Sequence, residues 1–344
     1  MKWHKLLVLT TLVGILNPLT GCKAVPEAVK DPNWTSQASN AISDTSTTIV
    51  LADISNYPSE NIERLQPLAD YLAAQLKDCG INMGEVKVAR DLETMSGWLS
   101  SGQVDLYLES PYPATIAIDR SGAKPILRRW KGGAPEYHAL FFARADRGFT
   151  SLTDLAGKKI AFDEPVSTSG YLLPLAYSIE KNLNPVEKKY LREPVLKNEV
   201  GYIFSGDDEN VIQWVLKGWV AAGVLDNLNF KEIPPQIRAQ LKVLARTEAV
   251  PRQLVLVRED LDPKLVSAIK TILIDMDKTP EGRDLLQKLE KTTKFDEFPE
   301  GTEAVLARMR ELYELVQRGG KAEEAEEVGK TGQQEDKRDK GDKI

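Results

Sequence analysis

The chain has 344 residues, 42% hydrophobic and 28% charged, a composition typical of a globular protein long enough for two domains. Its formal net charge of −6 argues against nucleic acid as a partner, because phosphate backbones are bound by clustered Lys and Arg. Its two histidines exclude a multi-histidine zinc centre.

The first segment predicts export. Basic residues precede a short apolar run from Leu6 to Leu19, which is typical of a secretion signal rather than a membrane span. The sequence Leu19-Thr20-Gly21-Cys22 resembles the bacterial lipobox, which implies cleavage before Cys22 and acylation of its thiol. We therefore expect a signal peptide over 1–21, a lipid anchor on Cys22 and a flexible polar tether over 22–47.

Strands and helices are predicted to alternate after the tether. The predicted strands are 48–52, 86–89, 104–108, 137–143, 159–162, 201–204, 220–225, 241–245 and 254–257. The predicted helices are 59–76, 92–99, 172–179 and 211–216, with further helices beginning at Pro263, Pro280 and Gly301. Pro111 and Pro113 predict a turn after the third strand. This alternation favours α/β architecture with mostly parallel sheets flanked by helices, and 317–344 reads as a disordered charged tail.

Polar side chains follow several predicted strands at their carboxyl ends, where ligands bind in such sheets. The candidate binding residues are Tyr57, Ser110, Tyr112, Ser167, Thr168, Ser169, Asp208 and Asp226. Ser167–Ser169 also begins a helix, where free N–H groups and the macrodipole favour an anion. The alternatives are ordinary helix caps for Ser167–Ser169 and Asp226, and turn or core packing for Tyr57 and Tyr112.

Other reactive residue types are scarce. His138 lies in a strand-like run and is assigned a structural role, which leaves hydrolase chemistry poorly supplied with a base. Cys79 is interpreted as a packed residue at a helix end, with no partner in the chain if Cys22 is acylated. No nucleotide-binding glycine motif is present, so neither a cofactor nor a metal is expected.

Several segments resemble the phosphate-, phosphite- and phosphonate-binding proteins of ABC importers. These segments are Asn56-Tyr57-Pro58, Gln66–Leu72, Glu109–Ala114, Ser167–Pro174, Ser205-Gly206, Ala222–Asp226 and Thr279–Arg283. The resemblance implies a two-lobe periplasmic-binding-protein fold, type II-like, with the ligand in the cleft between the lobes. It implies that lobe 1 contains 48–144 and 245–316 and that lobe 2 contains 145–244.

The resemblance also implies roles for single residues. Tyr112 and Ser167–Ser169 match positions that grip the phosphonate group in that family. Tyr57 matches an aromatic residue that lines the cleft, and Asp226 a polar group at the far end of the ligand.

One departure from the family pattern concerns Asp207-Asp208, which stand where a Ser-His pair is common. A carboxylate facing a phosphate dianion in a closed cleft would be strongly repulsive. Three alternatives stay open: Asp208 points to solvent, it accepts the proton of a P–OH group, or the ligand has a cationic end.

The sequence therefore predicts a non-enzymatic, monomeric solute-binding lipoprotein on the extracytoplasmic face of a membrane. It would deliver a small phosphorus oxyanion to an ABC permease with its ATPase. The alternative is a sensory or scaffolding lipoprotein of the same fold whose ligand binding is altered or lost.

Overall fold

A computed structural model of the chain describes residues 47–319. The strands are β1 Thr48–Ile54, β2 Met83–Ala89, β3 Leu106–Glu109, β4 Lys124–Arg129, β5 Glu136–Tyr137, β6 Ala139–Arg144, β7 Lys159–Phe162, β8 Pro185–Glu187, β9 Val200–Phe204, β10 Ala222–Asp226, β11 Leu241–Arg246, β12 Val250–Pro251, β13 Gln253–Val257 and β14 Phe295–Asp296. The helices are α1 Pro58–Gln75, α2 Leu92–Ser100, α3 Pro111–Ser121, α4 Leu173–Glu180, α5 Asp208–Lys217, α6 Asn227–Glu232, α7 Pro235–Arg238, α8 Pro263–Asp275, α9 Pro280–Lys288 and α10, 302–319.

Two six-stranded sheets form the two lobes. Lobe 1 has the strand order β14-β4-β13-β3-β1-β2, and lobe 2 has the order β11-β6-β10-β7-β9-β8. Both sheets are mixed: β13 and β14 in lobe 1 and β6 in lobe 2 run antiparallel to their neighbours, and the remaining strand pairs are parallel. Buried clusters cover both faces of each sheet, which confirms the predicted α/β class.

The two lobes are joined by a small sheet in which β5 pairs with β12. We call this sheet, together with the adjoining Arg252, the hinge. The first crossing comes earlier than the boundary expected at 144, because β6 pairs with β10 and β11 in lobe 2. The return crossing comes later than 245, because β11 also belongs to lobe 2.

The last helix, α10, spans both lobes instead of belonging to lobe 1 alone. Leu306 packs in the lobe-1 cluster with Phe298, whereas Met309 and Leu312 are buried in the lobe-2 cluster. Each fully buried leucine or methionine stabilises such a contact by about 1.5–3 kcal/mol. The described part of the predicted tail, 317–319, continues this helix.

The prediction of a turn at Pro111 and Pro113 was wrong. Pro111 is the first residue of α3, where its missing N–H costs nothing and its fixed φ suits the helix. The sequence reading also missed β4, whose buried end carries Arg128 and Arg129. Across residues 47–319, no helix is long and apolar enough to cross a membrane.

The expectations about the signal peptide and the acylated Cys22 lie outside the described residues. Cys79 ends a short 3₁₀ turn after α1 and is disulfide-bonded.

Candidate functional site

The predicted site residues of the two lobes meet where the strand ends of both sheets face each other. The Tyr112 N–H at the start of α3 donates to Thr168 Oγ1 at 2.9 Å. Both residues are almost fully buried, and the Tyr112 ring lies 6.2 Å from that of Tyr171 and 5.8 Å from that of Tyr313. Burial also raises the pKa of the Tyr112 hydroxyl well above its usual value. Tyr112 and Thr168 therefore hold the lobes against each other.

The hydroxyl turn, Ser167–Ser169, begins a π-helical turn that runs directly into α4. Ser167 is its N-cap, and Ser167 Oγ accepts the Gly170 N–H at 3.0 Å. Burial raises the pKa of the Tyr137 hydroxyl on the hinge, and the nearby Thr168 and Ser169 hydroxyls partly offset that rise. Ser167 and Thr168 thus already accept hydrogen bonds within the protein.

Three carboxylates follow the neighbouring strands of lobe 2. Asp226 is buried and caps α6, accepting the N–H groups of Leu228 and Asn229 at 2.7 and 2.9 Å. Asp208 accepts a hydrogen bond from the Asn229 side chain, and burial together with Asp226 raises its pKa. Burial and the nearby Asp208 raise the pKa of Asp163 to about 7. Asp208 therefore belongs to a desolvated acidic cluster and does not point freely into solvent.

A single guanidinium from the hinge faces this cluster. The Arg252 guanidinium lies 4.3 Å from the centre of the Tyr137 ring, a cation–π distance, and 4.0 Å from Asp226 Oδ2. The side chain is 12% exposed, and its buried Nε has no hydrogen-bond partner within the described residues. Leaving such a donor unpaired costs about 1–3 kcal/mol.

On the lobe-1 side, a polar cavity of about 280 Å³ opens at the carboxyl ends of β1 and β3. Its charged lining residues are Asp53, Arg64, Glu109, Arg129, Lys131 and Glu290. Glu290 accepts from Lys131 at 2.8 Å, from Arg129 at 3.1 Å and from Arg64 at 3.3 Å. We refer to this arrangement as the lobe-1 cavity.

The backbone around Glu290 is strained. Glu290 and Lys291 have φ values of 50° and 53°, in the left-handed region that non-glycine residues rarely adopt. Burial opposes the ionisation of Glu290, but Lys131 and Arg129 outweigh it and lower its pKa to about 2. In contrast, burial and Glu109 raise the pKa of Asp53 to about 6. The ion pairs of Glu290 thus stabilise a conformation that its backbone disfavours.

Two predicted residues have mainly local contacts. Tyr57 caps α1 and is 69% exposed; its N–H donates to Ser55 Oγ at 2.9 Å. Ser110 precedes α3, and its N–H donates to the carboxylate of its neighbour Glu109. His138 lies between β5 and β6, and its backbone pairs with Asn227. Burial and the nearby Arg246 lower the pKa of His138, so its imidazole is neutral at pH 7.

Sequence reasoning missed Asp163, Tyr137 and Arg252. Asp163 directly follows β7, so the strand-end rule could have found it. Tyr137 and Arg252 carry no such signal, because they belong to the two crossings that pair only in the folded chain.

Comparisons with known proteins bear on this site. The family described as "ABC transporter, phosphonate, periplasmic substrate-binding protein" matches residues 52–300. The "Phosphate-import protein PhnD" of Mycolicibacterium smegmatis is 29% identical over 237 residues, 65% of this chain and 70% of the relative. The "Phosphonates-binding periplasmic protein" of Escherichia coli is 25% identical over 194 residues, 54% of each chain.

Solved structures give a similar result. The protein XAC2383 of Xanthomonas citri is 30% identical, with a TM-score of 0.73. The similarity covers 80% of this chain and 100% of the structure bound to chloride ion, or 99% of the structure bound to ATP.

Proposed function

The chain belongs to the periplasmic phosphonate-binding proteins of ABC transporters, and from that premise we propose that its interlobe cleft captures a small phosphorus oxyanion for import. The observation that carries the proposal is the contact of Tyr112 with the hydroxyl turn across the lobes. Ligand held between the two strand-end faces would stabilise the closed form, which would then dock on the permease.

The binding step draws on the residues at the lobe interface. Hydroxyls and N–H groups at a helix start hold an oxyanion without fully neutralising it, which keeps release possible. Ser167 would exchange its present partner, the Gly170 N–H, for a ligand oxygen, and the Ser169 hydroxyl would donate to another. Tyr57 would line the entrance on the lobe-1 side, and Asp226 would meet the far end of the ligand. The relatives named for phosphate import and phosphonate binding support phosphorus chemistry.

The family is one of transport proteins and not a class of enzymes, and it favours import over the sensory alternative. We extend this to a non-catalytic, monomeric protein. Absence of turnover with a phosphonate ester would support that extension, and release of alcohol from the ester would contradict it.

Ligand identity is tested by calorimetry and thermal unfolding with phosphate, phosphite, methylphosphonate, 2-aminoethylphosphonate and sulfate. A ligand at 100 times its dissociation constant stabilises the native state by about 2.7 kcal/mol. For a chain of this size the melting temperature should rise by roughly 5–10 °C. A rise with a phosphorus compound but not with sulfate supports the proposal, and a flat panel contradicts it.

The site itself is tested by Ser169→Ala, which should weaken binding of the active compound about tenfold without unfolding the protein, since one hydrogen bond to a charged group is lost. Ser267→Ala, on the exposed side of α8, is the matched control and should leave binding unchanged. Equal affinities of the two variants would remove Ser169 from the site.

The lipid anchor stays a prediction, and intact-mass measurement of the exported protein tests it. A diacylglycerol adduct on Cys22 would support the anchor, and Cys79 would then need another partner or be reduced. A Cys22–Cys79 disulfide without lipid would contradict it.

A further inference from the structure

The acidic cluster of lobe 2 would repel a phosphorus oxyanion bound at the hydroxyl turn. Asp163, Asp208 and Asp226 follow neighbouring strands of the lobe that carries the hydroxyl turn; in addition to burial, Asp208 is close enough to Asp163 to raise its pKa, and Asp226 is close enough to Asp208 to do the same. Neutral hydroxyls alone would place a dianion next to these carboxylates in a desolvated cleft. A cation must therefore offset the repulsion if such an anion is to bind.

Arg252 is the residue on the hinge that is placed to do this. Its backbone N–H donates to Pro135 O at 2.9 Å, across the hinge, so the residue is anchored to both crossings. Its guanidinium carbon lies 4.3 Å from the centre of the Tyr137 ring, a cation–π contact, and the Tyr137 hydroxyl is close enough to Thr168 and Ser169 for their hydroxyls to affect its pKa. One aromatic ring thus separates the guanidinium from the hydroxyl turn.

The pairing of Arg252 within the protein is incomplete. Asp226 Oδ2 is 4.0 Å away, beyond hydrogen-bond distance, and Asp226 Oδ1 is occupied by two backbone N–H groups. Arg252 Nε is buried without an acceptor among the described residues. A guanidinium with a free edge is suited to bidentate binding of phosphate-like oxygens.

The cations of the lobe-1 cavity already bind acceptors through their terminal nitrogens, although Arg64 Nε, like Arg252 Nε, is buried without a partner among the described residues. Lys131, Arg129 and Arg64 all bind Glu290, and Arg129 also donates to Thr292 Oγ1, Gln253 Oε1 and Leu289 O. Using them for the ligand would break the ion pairs that hold the strained backbone at Glu290. The only ion pair of the Arg252 side chain among the described residues is the 4.0 Å contact with Asp226, so binding a ligand would break no comparable network.

We propose that Arg252 and Tyr137 form an oxyanion subsite on the hinge, in which the Arg252 guanidinium binds the phosphorus oxyanion and Tyr137 fixes its plane. This inference rests on the proposed function and adds two residues, Arg252 and Tyr137, that no local sequence motif marks as binding residues. It also places the ligand's charge at the axis of closure, where it is shared by both lobes.

The test is calorimetry on Arg252→Gln and Arg252→Lys with whichever of phosphate, phosphite and methylphosphonate binds the wild-type chain. A lost charge-assisted contact predicts a loss of affinity of about 10-fold to 150-fold for Arg252→Gln. Arg252→Lys keeps the charge but not the planar fork, so its loss should be smaller. The matched control is Arg246→Gln, an exposed arginine at the end of β11, which should bind within about 2-fold of wild type.

A second measurement separates binding from folding. If Arg252→Gln melts early, the charge-neutral double variant Arg252→Gln/Asp226→Asn removes the unpaired carboxylate, and its affinity is compared with that of Asp226→Asn alone. A fall with the added Arg252→Gln change supports the subsite. Phosphate should lose more affinity at pH 8, as a dianion, than at pH 6, a difference that a purely structural role would not produce.

The outcomes are distinguishable. Wild-type binding with an unchanged Arg252→Gln affinity overturns the subsite and leaves the proposed function standing. A wild-type chain that binds no phosphorus compound overturns both.

Discussion

The lobe-1 cavity and the lobe-2 acidic cluster both carry three carboxylates, but they differ in how the charge is compensated. In the lobe-1 cavity, Glu290 binds three cations and its pKa falls to about 2. In the lobe-2 cluster, Asp163 has no ion pair among the described contacts and its pKa rises to about 7. A buried carboxylate that is paired with cations stabilises the fold, because removing either partner leaves the other charge buried and unpaired. A buried carboxylate without a cationic partner destabilises the folded state, and such groups are typical of sites that bind a ligand.

This difference indicates which side of the cleft binds the ligand. The ion-pair network of lobe 1 fixes the strand ends and the loop after α9. The acidic cluster keeps raised pKa values, and Arg252 keeps an N–H without a partner in the described part of the chain; such features are typical of a site completed by another molecule.

The largest expected effect is loss of stability from Glu290→Gln. The substitution leaves Arg129 buried without its carboxylate, and breaking a buried ion pair from one side costs about 3–5 kcal/mol. Urea unfolding should show a lower midpoint with an unchanged slope. Asp284→Asn is the control; it breaks the exposed pair with Lys288 and should change stability by less than about 0.5 kcal/mol. Similar costs for the two variants would contradict the contrast between the regions.

Thr168→Val should have the next largest effect, a loss of about 1–3 kcal/mol in the free energy of unfolding. The change is nearly isosteric but removes the acceptor of the buried Tyr112 N–H. Thr168→Ser keeps the oxygen and should recover most of this loss. If valine is tolerated as well as serine, the contact between Tyr112 and Thr168 does not hold the lobes together.

The pH dependence of stability should have opposite signs for Asp163 in lobe 2 and Glu290 in lobe 1. The pKa of Asp163 rises from 3.8 to about 7 on folding, so the folded state holds a proton that the unfolded state releases. Its contribution is therefore lost as pH rises from about 4 to 7, by at most about 1.4 kcal/mol per pH unit. The pKa of Glu290 falls from 4.5 to about 2, so its contribution is lost as pH falls through that range.

Unfolding free energies measured between pH 4.5 and 7.5 test this for Asp163→Asn. The variant should lose part of the wild-type decline; Asp53, with a pKa of about 6, and Asp208, whose pKa burial also raises, contribute to the rest. A variant with the same slope as wild type would show that Asp163 ionises normally in the folded protein.

The smallest effect on stability is expected for Tyr57→Ala. The side chain is 69% exposed, so the free energy of unfolding should change by less than about 0.5 kcal/mol. If Tyr57 lines the entrance, ligand affinity should nevertheless fall several-fold, as calorimetry can measure. Tyr190→Ala, 71% exposed on lobe 2, is the control and should affect neither quantity. Unchanged binding in both variants would remove Tyr57 from the cleft.

Local signals in the sequence were sufficient for most elements and part of the site. Apolar spacing predicted α1, and capping, the alternative kept open for Ser167 and Asp226, is a role that their side chains have in the structure. The hydroxyl turn could be placed because its chemistry lies in consecutive residues. Such signals depend on neighbours within one helical turn or one strand, so they survive without knowledge of the fold.

Only the tertiary structure decides which residues far apart in the sequence form ion pairs. Arg64 binds Glu290 across 226 positions, and Arg252 faces Asp226 from the opposite crossing. The tertiary structure also shows that β6 belongs to lobe 2, not lobe 1. The segment that begins at Pro111 is a helix, and its first turn contacts the hydroxyl turn. The physical reason is that ion pairs and cleft walls arise from strand order and burial. Both are properties of the assembled sheets, and no short stretch of sequence encodes them.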